Sequence, residues 1–176
     1  MDLGSVQATA RLLVAEVFAL IIGVSSMRAA GTLPFSSIAD AGLAKIEKAL
    51  PSDKLRDLRR LSDCLCVRPL APQVETANMG EMETALLPAF EQSFLGPLHL
   101  SFQYRDAKGA KTAQQIEPQA LLILPPLWCL VALDPTREGF RHFRMDRISR
   151  PEVVEGSTFR SWHVPFDDGM QPLRYA

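Results

Sequence analysis

Cysteine is scarce in this sequence, no apolar run is long, and neither charge sign dominates. Each shortage removes a class of function. Three cysteines in 176 residues are an odd number and too few for a disulfide framework. Cys64 and Cys66 stand two apart with no second Cys or His cluster beside them, so the four converging ligands of a structural zinc site are missing. Together with Cys129 they are expected to be buried, reduced thiols, which points to a cytoplasmic protein. The apolar stretch Leu12 to Val24 spans 13 residues and contains Glu16, whereas a membrane-crossing helix needs roughly 20 apolar residues. Glu16 also interrupts the charge-free core that a signal peptide requires. The stretch is expected to be a buried helix, and no membrane partner is expected.

A net charge of −1 means that the chain as a whole is no basic glove for nucleic acid. Any polyanion must be met by a local patch. The three histidines, His99, His142 and His163, are scattered and show no metal-ligand spacing. His163 lies near Asp167 and Asp168, but Pro165, Gly169 and Pro172 mark that segment as a loosely ordered tail. No Gly-rich phosphate loop, Gly-x-Ser-x-Gly elbow or His-Glu-x-x-His appears. The expectation is therefore a protein that is not an enzyme and has no catalytic residues, no metal and no cofactor.

What is present divides by period. From Thr9 to Ala30, Leu13, Val17, Leu20, Ile21, Val24 and Met27 recur at helical spacing, and Gly31 supplies a stop. Ser36 and Ser37 can cap a second helix reaching Leu50, and Pro51 can open a third carrying Leu55, Leu58 and Leu61. Residues 67 to 78, with two prolines, read as a linker. A short helix from about Gly80 to Phe94 would bring Met82, Leu86, Phe90 and Phe94 to one side before Gly96-Pro97.

After Pro97 the period becomes two. Leu98, Leu100, Phe102 and Tyr104 alternate with polar residues in a half-buried strand. Asp106 to Gly109 then makes a hairpin turn. Further strands are expected at Thr112–Glu117, Ala120–Leu124, Leu127–Leu133 and Gly139–Met145, with a short addition at Val153-Val154. Short strands and tight turns imply an α+β chain: a helical region followed by a small five-stranded antiparallel β-barrel. The expected divisions are 1–66 helical, 67–79 linker, 80–155 barrel and 156–176 tail.

Between Arg137 and Arg150 lie five arginines, Arg137, Arg141, Arg144, Arg147 and Arg150, against Glu138 and Asp146. Guanidinium groups grip phosphate bidentately and stack on bases, and Phe140, Phe143 and Trp128 could add stacking faces. The alternative is that the arginines pair with surface carboxylates while the phenylalanines pack in the core. In a regular strand, Arg141 and Arg144 would face opposite sides.

LWCLVALD at 127–134 followed by FRHFRMDRIS at 140–149 resembles the core of WYL domains. FQYRDAKG at 102–109 and IEP at 116–118 resemble the family's first hairpin and the entry to its third strand. The upstream helices are similar to the region that joins the DNA-binding domain to the WYL domain in DeoR-like regulators. The resemblance implies an Sm-like, SH3-type barrel that senses a nucleotide or single-stranded nucleic acid. By position it implies a pocket of Trp128, Cys129, Leu130, Arg141, Arg144 and Arg147, with Tyr104 nearby. Cys129 departs from the family's usual tyrosine, and Gln114 and Gln115 stand where arginine is common. The expected protein is a ligand-sensing homodimer that meets DNA only through a helix-turn-helix outside this chain. The alternatives are a protein–protein dimerisation module without a small ligand and a direct binder of single-stranded nucleic acid.

Overall fold

The computed structural model describes residues 12–69, 71, 76, 78–134, 139–164 and 166. Helix α1, Val14–Ala29, is opened by Glu16, whose carboxylate accepts the Leu13 N–H at 2.7 Å and puts negative charge in the first turn. Gly31, at φ 68°, ends it. Val17 and Phe18 are buried against Leu58, but Leu13, Leu20 and Met27 are 69%, 46% and 45% exposed. Seven residues make about two helical turns, so those three share one outward stripe. The expected buried helix is thus buried on one face only.

Helix α2, Ser36–Ala49, has no buried residue and is tied to α1 by the Arg28–Asp40 ion pair. Helix α3, Ser52–Ser62, turns Leu58 inward. It leads into strand β1, Leu65–Val67, which pairs parallel with Leu121–Ile123. Three residues are too few to show a period, so the sequence reads this strand as the end of a helix. Helix α4, Leu86–Leu95, buries Leu86 and Phe90, and Met82 and Phe94 pack on the same core.

The main path of the sheet runs β5 (Gly139–Arg144), β4 (Leu127–Asp134), β3 (Lys111–Leu124), β2 (His99–Arg105), β6 (Ile148–Val154), and β1 lies against β3. Strand β2, His99–Arg105, alternates as expected, with Leu100, Phe102 and Tyr104 buried. Strand β3, Lys111–Leu124, is one strand where the sequence suggests two. Pro118 reads as a break because it donates no ladder hydrogen bond. Here it sits at a register shift between Pro118 and Ala120 within the β3–β4 ladder, just after the β2 pairing of β3 ends at Ile116. Strand β4, Leu127–Asp134, is buried on both faces, and β5, Gly139–Arg144, pairs beside it. A 3-10 turn, Met145–Arg147, leads to β6, Ile148–Val154, a full strand where only Val153-Val154 is expected.

The expected closed barrel is not formed. The path ends at β5 and β6, and among the described residues no ladder joins them. Their connection is the 3-10 turn, held by side chains rather than by a neighbouring strand. One face of the sheet packs Phe102, Tyr104, Phe143 and Met145 under α4, with Phe143 edge-on to Phe102 at 5.3 Å and to Tyr104 at 5.2 Å. The other face packs Leu122, Leu127, Cys129 and Val131 with Val164. The described part of the tail is therefore fastened. Buried Gln119 donates to the Arg160 carbonyl at 3.2 Å and accepts the Trp162 N–H at 2.7 Å. Pro165, Asp167, Asp168, Gly169 and Pro172 lie outside the described residues, as do Arg137 and Glu138.

Candidate ligand site

The 3-10 turn decides what each arginine does. Arg144 ends β5 with its side chain 2% exposed, and Asp146 beside it is 7% exposed. The guanidinium grips the carboxylate at both oxygens, Nε to Oδ1 at 3.0 Å and Nη2 to Oδ2 at 2.7 Å. Such a fork is the strong form of a charged hydrogen bond, and it leaves Arg144 engaged in structure. Oδ2 also accepts the Gly80 N–H at 3.0 Å. A side chain at position 80 would bring a Cβ to 3.2 Å from the Asp146 carbonyl, so glycine allows the approach. Burial alone would raise the Asp146 pKa, but the bonds from Arg144 and Gly80, with the charges of Arg144 and Arg147, outweigh it and hold the carboxyl below its ordinary value.

Arg147, three residues on, is placed differently. Its guanidinium lies beside the buried Tyr104 hydroxyl, which accepts the Arg144 backbone N–H at 3.3 Å. Burial pushes the Tyr104 pKa up despite those two contacts. Nη1 of Arg147 is buried and has no hydrogen-bond partner among the described residues. The Arg147 side chain also lines a cleft of about 430 Å³, together with Arg105, Lys111, Asp146, Ser149, Glu81 and Glu83. Arg105 and Lys111 are direct cross-strand partners in the β2–β3 ladder, an arrangement of like charges that costs stability unless something negative answers it. Glu83 is partly committed, since it accepts the Arg150 N–H at 2.9 Å.

The residues expected to form one pocket are divided among several places. Arg144, Arg147 and Tyr104 come together. Arg141 lies apart, bonded to Asp134 at 2.7 Å and Gln114 at 3.1 Å, with its guanidinium carbon 4.9 Å from the Phe143 ring centre. Gln114, which stands where the resemblance leads one to expect arginine, thus serves as an acceptor for one. Cys129 and Leu130 are fully buried within β4, facing the two opposite cores. Trp128 is half-buried in a separate groove between α1 and α4. Sequence reasoning missed Arg105 and Lys111, although they directly flank the Asp106–Ala110 loop that pairs them across a hairpin.

His99 accepts from Gln115 at 3.1 Å, bonds the Thr158 carbonyl at 3.2 Å and lies 3.8 Å from Glu117. The described residues contain no group of three or more His, Cys, Asp or Glu able to hold a metal. No described helix is long and apolar enough to cross a membrane.

With this geometry in view, comparison with known families gives a direct match. Residues 86–153 match the WYL domain. The WYL-matched stretch runs from α4 to β6 and contains Arg105, Lys111, Trp128 and the arginines of β5 and the 3-10 turn. Among solved structures, the chain is similar to proteasome accessory factor B/C (PafBC) of Arthrobacter aurescens, with 20% identity and a TM-score of 0.40. That similarity covers 85% of this chain but 22% of the PafBC chain.

Proposed function

We propose that this chain is a ligand-sensing regulatory domain of a DeoR-like bacterial transcription regulator, acting by binding rather than catalysis. Its effector is an anion of the nucleotide or single-stranded nucleic-acid class. The observation that carries this reading is Arg147, whose buried Nη1 has no hydrogen-bond partner among the described residues, lining a cleft where Arg105 and Lys111 face each other. A phosphate or similar group would supply the missing acceptor and offset the facing positive charges. The WYL match over the same residues supports a sensing role. In this reading the open sheet is a small Sm-like barrel left unsealed at the 3-10 turn. The thiols, none of them in a disulfide, suit the cytoplasm. DNA contact belongs to a helix-turn-helix outside this chain. The effector acts by binding one arrangement of a homodimer better than another.

The test is an anisotropy titration of the chain with fluorescent single-stranded DNA and with mononucleotides, at two salt concentrations. Affinity should fall steeply with salt, and Arg147→Ala should weaken it about tenfold or more, the scale of a charge-assisted hydrogen bond. Arg147→Ala binding as tightly as the unmodified chain would sink the reading.

A second reading, a dimerisation module without a small ligand, is favoured by the outward stripe Leu13, Leu20 and Met27 along α1 and its cap, and by exposed Phe35 and Ile38. Sedimentation across a dilution series distinguishes it, because Leu20→Glu with Met27→Glu should then abolish self-association.

A further inference from the structure

Trp128, expected among the arginines, instead helps to form the groove between α1 and α4, a cavity of about 400 Å³. That volume lies in the range of small-molecule sites. Phe18 of α1 and Phe90 and Phe94 of α4 complete the aromatic wall, and the two α4 rings stack at 5.3 Å. The groove's charged lining residues are acids alone: Glu16 from α1 and Glu91 from α4, with no Lys or Arg among the described residues. Both glutamates are exposed, and neither forms an ion pair among the described residues. Glu16 does cap α1, but an N–H bond to one oxygen leaves its negative charge in place.

From this arrangement we infer that the groove is a second binding site, for a hydrophobic organic cation. Aromatic faces attract a weakly hydrated cation through their quadrupoles, most strongly where water is excluded. Two carboxylates at the same groove favour positive charge and disfavour an apolar anion of equal shape. A strongly hydrated ammonium would lose too much solvation on entering an apolar wall. A cation whose charge is shielded by aryl or alkyl groups fits both features. The site differs from the arginine cleft in its aromatic wall and in having acids as its sole charged lining among the described residues, so the two should bind independently chosen classes of ligand.

The experiment is calorimetric titration of the full chain with tetraphenylphosphonium and, separately, with tetraphenylborate, an ion of the same shape and opposite charge. Saturable binding of the phosphonium, at least about tenfold tighter than the borate, is the expected result. Trp128→Leu should weaken phosphonium binding about three- to thirtyfold, the span of a cation–π contact from exposed to desolvated. Glu91→Gln, an exposed position where folding is not at risk, should weaken the phosphonium and strengthen the borate. Circular dichroism and single-stranded DNA titration check that each variant stays folded. Equal binding of the two ions, no saturable binding, or phosphonium affinity unchanged in both variants would each overturn the assignment. So would exclusion of the cation by a second copy of the chain seated on the groove, seen as a dimer by sedimentation that the cation cannot dissociate.

Discussion

The helical layer and the sheet are made from similarly apolar sequence, yet they use it differently. Helices α1 to α3 bury Val17, Phe18 and Leu58 while leaving Leu13, Leu20, Met27, Phe35 and Ile38 in the open. The sheet fills both of its faces and also buries an ion pair, Arg144–Asp146. Periodicity alone does not distinguish the two regions, because an apolar stripe has the same spacing whether a partner covers it or not. The contrast separates a sheet covered on both faces from helices that keep an apolar stripe in solvent.

The sharpest way to break the comparison is to attack the sheet's charged turn. Asp146→Ala leaves the Arg144 guanidinium buried without its fork, and removal of one partner from a buried pair costs about 3–5 kcal/mol. Urea unfolding measures it; a loss below about 1 kcal/mol would mean that the turn is held by something else. In the helical layer, Leu58→Ala should cost about 2–4 kcal/mol. Hydrogen exchange should then rise in α1 and α3 while β2 to β4 stay protected, and uniform loss of protection would erase the distinction between the regions.

Acid should act on the sheet in two smaller steps. His142 is pushed below its ordinary 6.5 by burial, so the unfolded chain binds its proton more readily and stability falls as pH drops below about 6.5. Asp146 is held below its ordinary 3.8, so its contribution is present above that value and is lost as pH falls through the lowered folded value. Unfolding midpoints across a pH series should show both steps, and His142→Phe should remove only the upper one. The smallest effect belongs to the exposed stripe. Leu20→Gln should change stability by no more than about 0.5 kcal/mol, the usual range for surface positions. A larger destabilisation would mean that the stripe is covered in solution.

Much of the sheet was legible because alternation is local: Leu100, Phe102 and Tyr104 point inward as their spacing requires. Pro118 misled because its missing N–H looks the same at a bulge as at a strand end. β1 is too short to carry a period, and its partner lies more than fifty residues away. At the site, resemblance pointed to Arg144 and Arg147 alike. Their different roles depend on the 3-10 turn, which gives Asp146 to one and the cleft to the other. Trp128 was misplaced for a related reason: a strand position says which face a ring takes, but not which helix lies over it.

The fastening of residues 160 to 164 bears on how this molecule can be cut down for study. A fragment ending with the WYL-matched stretch at residue 153 would strip Gln119 of both its amide partners and take Val164 from the second core. It would also leave two polar atoms stranded beside newly wetted leucines, a recipe for clumping during purification. The smallest piece that can stand alone should reach at least through Val164.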